Sequence, residues 1–81
     1  MNNISKVSRK EFLLEFENIF DETPIASLSL STNYKDLDEW SSLIVLSIIA
    51  HFEEKFSIVI APKTIYDNET FNELYNSISQ A

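Results

Sequence analysis

Glycine is absent from the chain, and no other feature of the sequence constrains the backbone as strongly. Glycine ordinarily supplies the positive φ angles of tight β-hairpins and the close backbone approach of phosphate-cradling loops. A chain of 81 residues without it is a poor candidate for a hairpin-rich β fold and has no glycine-rich nucleotide loop. The pattern favours helices joined by loops of Ser, Asn, Asp and Pro.

The length and the apolar content predict one small domain. Eighty-one residues lie near the lower limit for a domain without covalent staples, and the chain has no cysteine. Hydrophobic residues make up 44% of it, which is enough to fill a small core and argues against disorder. We therefore expect a single domain over residues 1–81, with its core at about 8–79, and a monomer.

Charge and hydropathy narrow the kinds of partner. Thirteen acidic and six basic residues give a formal charge of −7, which argues against nucleic acid and favours basic protein surfaces. An equally weighted alternative is that the acidity only keeps a small protein in solution. No apolar run approaches the roughly 20 residues that span a bilayer, and residues 1–6 lack the apolar centre of a signal peptide. We expect a cytoplasmic protein without membrane insertion.

Apolar periodicity and capping patterns predict three main helices and a short one. The first begins at the capping box of Ser8 and Glu11, and the last at a second box, Thr70 with Glu73. Between them, a helix should run from about Ser42 to Phe56, and Pro62 should begin a short helix that ends at Asp67. The first and last helices have apolar stripes at helical spacing. These are Phe12, Phe16, Ile19 and Phe20, and then Phe71, Leu74, Tyr75 and Ile78.

Two segments do not fit a regular helix. Residues 21–41 make a long connection for a compact domain, so we expect this loop to pack on the core or to carry function. Residues 57–60 have the β-propensity of a strand but no second strand to pair with, so an extended connection is expected. The predicted fold is therefore all-α: a four-helix bundle of three main helices and a short third helix, with a long loop between helices 1 and 2.

The second helix is apolar on more than one side. One stripe is formed by Val45, Ile48, Ile49, Phe52 and Phe56, whereas Leu43, Ile44, Leu46 and Ala50 lie largely off it. A helix that buries a single face is more polar than this. Either the other helices cover it all round, or its second face binds a partner.

The sequence contains no recognisable catalytic or metal-binding constellation. His51 is the only histidine, and Glu54 at i+3 is the one nearby side chain that could bind a metal together with it. An ordinary surface histidine is therefore the favoured interpretation. The acids at 36–39 and 53–54 would need a cleft that separates their pKa values before they could perform acid–base chemistry. We interpret them as a solvated acidic rim and expect neither a metal nor enzymatic activity.

Two serines lie where the long loop turns into the second helix, directly after Trp40. A helix start presents free backbone N–H groups and the positive end of the dipole, which suits a phosphorylated side chain. Ser41 is placed to cap the helix, and Ser42 is then the first helical residue with its hydroxyl outward. No neighbouring base activates either serine as a nucleophile. From these residues alone, simple capping outweighs modification.

The chain resembles the acyl carrier proteins. The resemblance lies in residues 31–43, STNYKDLDEWSSL, and in the ending FEEKF of the second helix at 52–56. Residues 64–78 fit the short third helix and threonine-capped fourth helix of that family. The similarity covers about residues 8–79, and Trp40 is more typical of carriers from specialised pathways than of the housekeeping fatty-acid carrier.

The resemblance implies that 4′-phosphopantetheine is attached from coenzyme A. By position the attachment residue is Ser42, followed by Leu43 as in the family's Asp-Ser-Leu motif, and Ser41 is the helix cap. The thiol of the arm would hold an acyl or aminoacyl group as a thioester. The implied partners are a phosphopantetheinyl transferase and acyl-activating, condensing or acyltransferase enzymes. The implied partner-binding residues are Leu43, Ile44, Leu46, Ser47, Ala50, Glu53, Glu54, Asp36, Asp38 and Glu39.

Two positions depart from the family pattern. Ser41 stands where the family usually has Asp, so the cap is kept but a negative charge is lost, and Ser57 stands where Gly is frequent. Ile44, Ser47 and Ala50 are uncharged, which predicts partners that bind by apolar contact while the acids steer their approach. The alternative function is a carrier-like module that has lost modification and only binds proteins.

A last expectation concerns the interior of such a bundle. Its core would be the place where an acyl chain could lie, with plain side-chain packing as the alternative. The residues concerned are Val45, Ile48, Ile49, Phe52, Phe56 and Tyr75.

Overall fold

The computed structural model describes residues 6–79, and its regular structure is helical. The helices of that region are α1 (Arg9–Glu15), α2 (Ser42–Phe56), α3 (Pro62–Asp67) and α4 (Phe71–Ser79). Over residues 6–79 there is no β-strand, only an isolated antiparallel bridge between Asn33 and Thr70. The predicted all-α fold with a short third helix is confirmed. None of the helices in the described region is long and apolar enough to cross a membrane. Most of the segment on which the signal-peptide prediction rests, residues 1–5, lies outside the described residues.

Both predicted capping boxes form. Ser8 Oγ accepts a hydrogen bond from the Glu11 N–H at 3.1 Å, and the Glu11 carboxylate accepts one from the Ser8 N–H at 3.4 Å. At α4, Thr70 Oγ1 accepts from the Glu73 N–H, while the Glu73 carboxylate accepts from the N–H groups of Glu69 and Thr70. These bonds from Glu69 and Thr70 lower the pKa of Glu73. They satisfy N–H groups that a helix start leaves without an intrahelical acceptor.

Helix α1 is shorter than its apolar stripe. The α-helix ends at Glu15 and continues as a 3₁₀ turn over Phe16–Asn18. The Phe16 carbonyl accepts hydrogen bonds from both Ile19 and Phe20, so the chain tightens before it leaves the helix. Ile19 and Phe20 are still buried, and the predicted stripe therefore reaches the core through a turn rather than through regular helix.

The core is built from aromatic rings contributed by three helices. Phe16 of the 3₁₀ turn lies 5.3 Å from Phe12 of α1, 5.8 Å from Phe52 of α2 and 4.7 Å from Phe71 of α4, measured between ring centroids. All four rings are fully buried. Tyr75 of α4 packs edge-on against Phe12. Contacts of this kind join α1, α2 and α4 at the centre of the bundle.

Helix α2 has the predicted bounds, and the residue that follows it has an unusual backbone conformation. Ser57 adopts a left-handed conformation with φ 57° and ψ 30°, the only positive φ within residues 6–79. Its N–H donates to the carbonyls of Glu53 and Phe52, which closes the last turn. The chain then runs extended, with Ile58 and Ile60 buried. The expected extended connection is confirmed.

The long loop at 21–41 packs on the core, as expected. It contains two short 3₁₀ turns, Ile25–Ser27 and Tyr34–Asp36. Tyr34 is fully buried, and its hydroxyl donates to the Ile65 carbonyl of α3 at 2.5 Å. Burial, assisted by two nearby glutamates, raises the pKa of this phenol. The Lys35 ammonium donates to the Tyr66 carbonyl. The loop and α3 are therefore held together by two adjacent residues.

Candidate functional site

The N-terminus of α2 is capped by Ser41. This residue is extended, with φ −161° and ψ 171°, and its Oγ accepts a hydrogen bond from the Ile44 N–H at 3.4 Å. Its carbonyl accepts from the Val45 N–H at 3.2 Å, which is the first bond of the helix. The Ser41 side chain thus satisfies one of the N–H groups that the first turn leaves open.

Ser42 is the first residue of α2, and its side chain is exposed. Within residues 6–79 its hydroxyl has no hydrogen-bond partner. The N–H groups of the first turn have no intrahelical acceptor and carry the positive end of the helix dipole. An exposed hydroxyl at such a position fits a phosphodiester group, because the charge on the phosphate is stabilised there.

Trp40 anchors the segment that leads into the two serines. Its ring is half-buried against Tyr34, at 5.0 Å between centroids, and the backbone N–H of Trp40 donates to the Leu37 carbonyl at 3.0 Å. Since Tyr34 is itself fixed to α3, Trp40 connects the start of α2 to the core. The serines therefore emerge from a firmly packed turn.

Glu39 does not lie on the solvated acidic rim where it was expected, because its carboxylate is bound by residues 21–23. One of its carboxylate oxygens accepts hydrogen bonds from the Glu22 and Thr23 N–H groups, both at 3.0 Å, and from Thr23 Oγ1 at 2.9 Å. The other accepts from the Asp21 N–H at 2.7 Å. Burial would raise the pKa of Glu39, but the bonds from Asp21, Glu22 and Thr23 together hold it below its ordinary value. The carboxylate is occupied in the turn after α1 because three successive N–H groups converge on it. Asp36 and Asp38 are exposed as expected.

The outer face of α2 presents most of the residues expected there. Leu43 is 72% exposed and Leu46 is 60% exposed, and Ser47 and Ala50 are exposed beside them. Ile44 differs, because its side chain is only 9% exposed and belongs to the core. The physical reason is that the packed elements cover a wider arc of α2 than one stripe, so that Ile44 joins the same buried cluster as Val45 and Ile48.

Charged side chains at the far end of α2 face either solvent or helix α1. Glu53 and Glu54 are exposed. His51 faces the other way, with its Nε2 2.7 Å from Glu15 of α1, and Lys55 also binds the Glu15 carboxylate at 3.0 Å. Partial burial would raise the pKa of Glu15, but His51 and Lys55 together hold it below its ordinary value. His51 thus pairs with α1 rather than with Glu54, and among residues 6–79 no cluster of three ligand side chains could hold a metal.

Three exposed apolar residues were not predicted from the sequence. Leu14 lies in α1, Val59 lies in the extended segment after α2, and Tyr66 lies in α3. The alternation of residues 58–60, buried, exposed, buried, is the signal that could have identified Val59.

The fold and the site together define a small helical carrier domain, with an exposed serine at the start of its second helix. The family model described as phosphopantetheine attachment site matches residues 13–78 of the chain. The chain belongs to this family, whose domains are the site of covalent 4′-phosphopantetheine attachment. They are generally not catalytic and work with phosphopantetheinyl transferases and biosynthetic enzymes. No curated protein and no solved structure matches the chain significantly.

Proposed function

We propose that this protein carries acyl or aminoacyl groups, bound as thioesters to a 4′-phosphopantetheine arm on Ser42, and presents them to partner enzymes. The observation that supports this most directly is the exposed Ser42 hydroxyl at the first position of α2. The chain lacks cysteine, and the bound arm supplies the thiol on which the thioester is formed. The protein itself catalyses nothing in this proposal.

The two neighbouring serines have different tasks in the proposal. Ser41 Oγ is committed to the Ile44 N–H and keeps the helix start intact. Its short hydroxyl replaces the family's usual Asp as cap, since both side chains accept the same backbone hydrogen bond. Ser42 is left to react, with the base and the orientation of coenzyme A provided by the transferase.

The partner-binding surface of the proposal lies on α2 and the loop before it. Leu43, Leu46 and Ala50 form its apolar part, with Ser47 between them. Glu53 and Glu54 at one end and the loop acids at the other would steer basic partners toward it. The proposed partners are a phosphopantetheinyl transferase and acyl-activating, condensing or acyltransferase enzymes in the cytoplasm. Ile44 and Glu39 are omitted, because one is buried and the carboxylate of the other is occupied.

Intact mass spectrometry tests the attachment site. The protein is incubated with coenzyme A and a broad-specificity phosphopantetheinyl transferase, and we expect the mass of one phosphopantetheine to be added. The matched pair Ser42→Ala and Ser41→Ala separates the two serines. Ser42→Ala should receive nothing, whereas Ser41→Ala should still be modified. Modification of Ser42→Ala, or loss of modification only in Ser41→Ala, would contradict the assignment.

The alternative function is an unmodified interaction module, which is motivated by Ser41 in the position of the usual Asp. The same experiment, repeated with the transferase of the host organism, distinguishes it. If the host enzyme adds no group to the wild-type protein, the interaction module replaces the carrier. Modification of Ser41→Asp under the same conditions would attribute that loss to the missing Asp.

A further inference from the structure

The packing of the core bears on what kind of group the carrier can hold. Resting on the proposed function, we infer that the thioester-bound cargo stays outside the bundle. The carrier therefore serves short or polar acyl groups, such as aminoacyl or hydroxyacyl groups, rather than long alkyl chains.

Aromatic rings close the spaces between α1, α2 and α4. Phe52 of α2 lies 5.2 Å from Phe12 and 5.8 Å from Phe16, so its ring fills the space toward α1. Phe16 in turn lies 4.7 Å from Phe71 of α4. Each of these four side chains is fully buried. At such centroid distances the rings are in van der Waals contact, and an alkyl chain would have to displace one of them.

Helix α3 is joined to the core by a buried aliphatic side chain and to the long loop by two hydrogen bonds. Ile65 of α3 and Ile48 of α2 belong to the same buried core cluster. The Tyr34 hydroxyl donates a hydrogen bond to the Ile65 carbonyl, and the Lys35 ammonium donates one to the Tyr66 carbonyl. These two bonds join α3 to the long loop. An outward movement of α3 would break both bonds and expose the Ile65 side chain.

These contacts make entry of a long chain unfavourable. Protein interiors are packed as densely as organic crystals, and extra methylene groups in a full core force side chains out of their preferred rotamers. The surface near Ser42 gives little shelter either, since Leu43 and Leu46 lie on a convex helix face that contacts only one side of a chain. A long alkyl group would stay largely in water, at a cost proportional to its apolar area. A short or polar group has little such area.

The test compares two cargoes on the same protein. Coenzyme A analogues with an amide-linked acetyl or octanoyl group are transferred to Ser42, and intact mass verifies the loading. We expect the melting temperatures of the two forms to differ by less than about 1 °C. Nuclear Overhauser contacts between the octanoyl protons and the rings of Phe12 or Phe52 should be absent.

The variant Phe52→Leu is the matched control, because it removes a ring at the centre of the cluster. In that variant the octanoyl group should raise the melting temperature by about 3 °C or more relative to acetyl, since it can fill the vacated space. An equal rise in the wild-type protein, or ring contacts from octanoyl in the wild-type protein, would overturn the inference. Failure of loading, by contrast, would contradict the proposed function, so the two failures are distinguishable.

Discussion

At the scale of single residues, Ser57 shows what the absence of glycine costs. The residue after α2 must turn the chain away from the helix, and it does so with φ 57°. For residues with a β-carbon this region is strained, by roughly 1–2 kcal/mol. Glycine has no such strain, which is why it is common at this position. The chain accepts the strain because Ser57 also closes the last turn and directs Ile58 into the core.

Ser57→Gly should therefore stabilise the protein. We expect the free energy of unfolding to rise by about 0.5–1 kcal/mol, because relief of the strain exceeds the added entropy of the unfolded chain. Urea denaturation at constant pH measures it. The control is Ser47→Gly, an exposed serine inside α2, where the same replacement should lower stability by about 0.5 kcal/mol. A loss of stability in Ser57→Gly would refute this account of the helix end.

At the scale of elements, the long loop is held by side chains that bind backbone groups. Glu39 binds three successive N–H groups in the turn after α1, at a separation of 16 to 18 residues along the chain. Tyr34 and Lys35 bind two carbonyls of α3. These contacts order a loop of 21 residues whose regular structure is two short 3₁₀ segments. The loop leads directly into Ser41 and Ser42, so its conformation determines where the two serines lie on the surface.

The bonds to Glu39 predict a dependence of stability on pH. The pKa of Glu39 is lowered in the folded protein by its hydrogen bonds, so its contribution is present above the unfolded-state pKa and is lost as the pH falls through the folded-state pKa. Glu39→Gln should lower the melting temperature at neutral pH, because the amide is uncharged and its NH₂ group cannot accept. The difference from wild type should shrink as the pH falls below the ordinary glutamate value of 4.5.

The control for this prediction is Asp38→Asn, which changes an exposed neighbouring acid. Its melting temperature should follow the wild type over the same pH range. Thermal unfolding from about pH 7 to about pH 3 measures all three proteins. A difference between Glu39→Gln and wild type that stays constant down to the lowest pH would show that the carboxylate does not act through its charge.

At the scale of the whole molecule, a net negative charge accompanies a small exposed apolar surface on α2. The formal charge is −7, and such a charge speeds the encounter with basic partners without determining how tightly they bind. The apolar part is small, formed by Leu43, Leu46 and Ala50. Leu14 of α1 is also exposed, at 47%, but it lies on a different helix and so offers a comparison.

Leu46→Ser should weaken recognition by the transferase. Removal of a contact at the centre of an interface costs about 1–2 kcal/mol, which corresponds to a fall in kcat/KM of roughly 5- to 30-fold. Steady-state modification rates measure this, and Leu14→Ser should leave kcat/KM close to wild type. Added salt should lower kcat/KM for every form, because the steering charges are screened. An unchanged kcat/KM in Leu46→Ser would locate the interface elsewhere, and an equal loss in Leu14→Ser would show that the effect is not specific to α2.

The amino-acid sequence by itself determined which helices form and where they begin, because the signals for helix starts are local. The capping boxes at Ser8 and Thr70, the proline at position 62 and the apolar stripes each act over a few residues, and the helices begin where those signals stand. The absence of glycine correctly excluded a hairpin-based fold. It also left Ser57 as the residue that bears a left-handed angle.

Only the tertiary structure decided which polar and apolar side chains are available at the surface. Glu39 and Ile44 were predicted to be surface residues that bind partners. In the structure the Glu39 carboxylate binds backbone N–H groups of residues 21–23, and Ile44 lies in the core. His51 finds Glu15, which is 36 residues away. Helical periodicity predicts the spacing of side chains on α2 but not the arc that its neighbours cover. That arc depends on long-range packing, and it determines which residues surround Ser42.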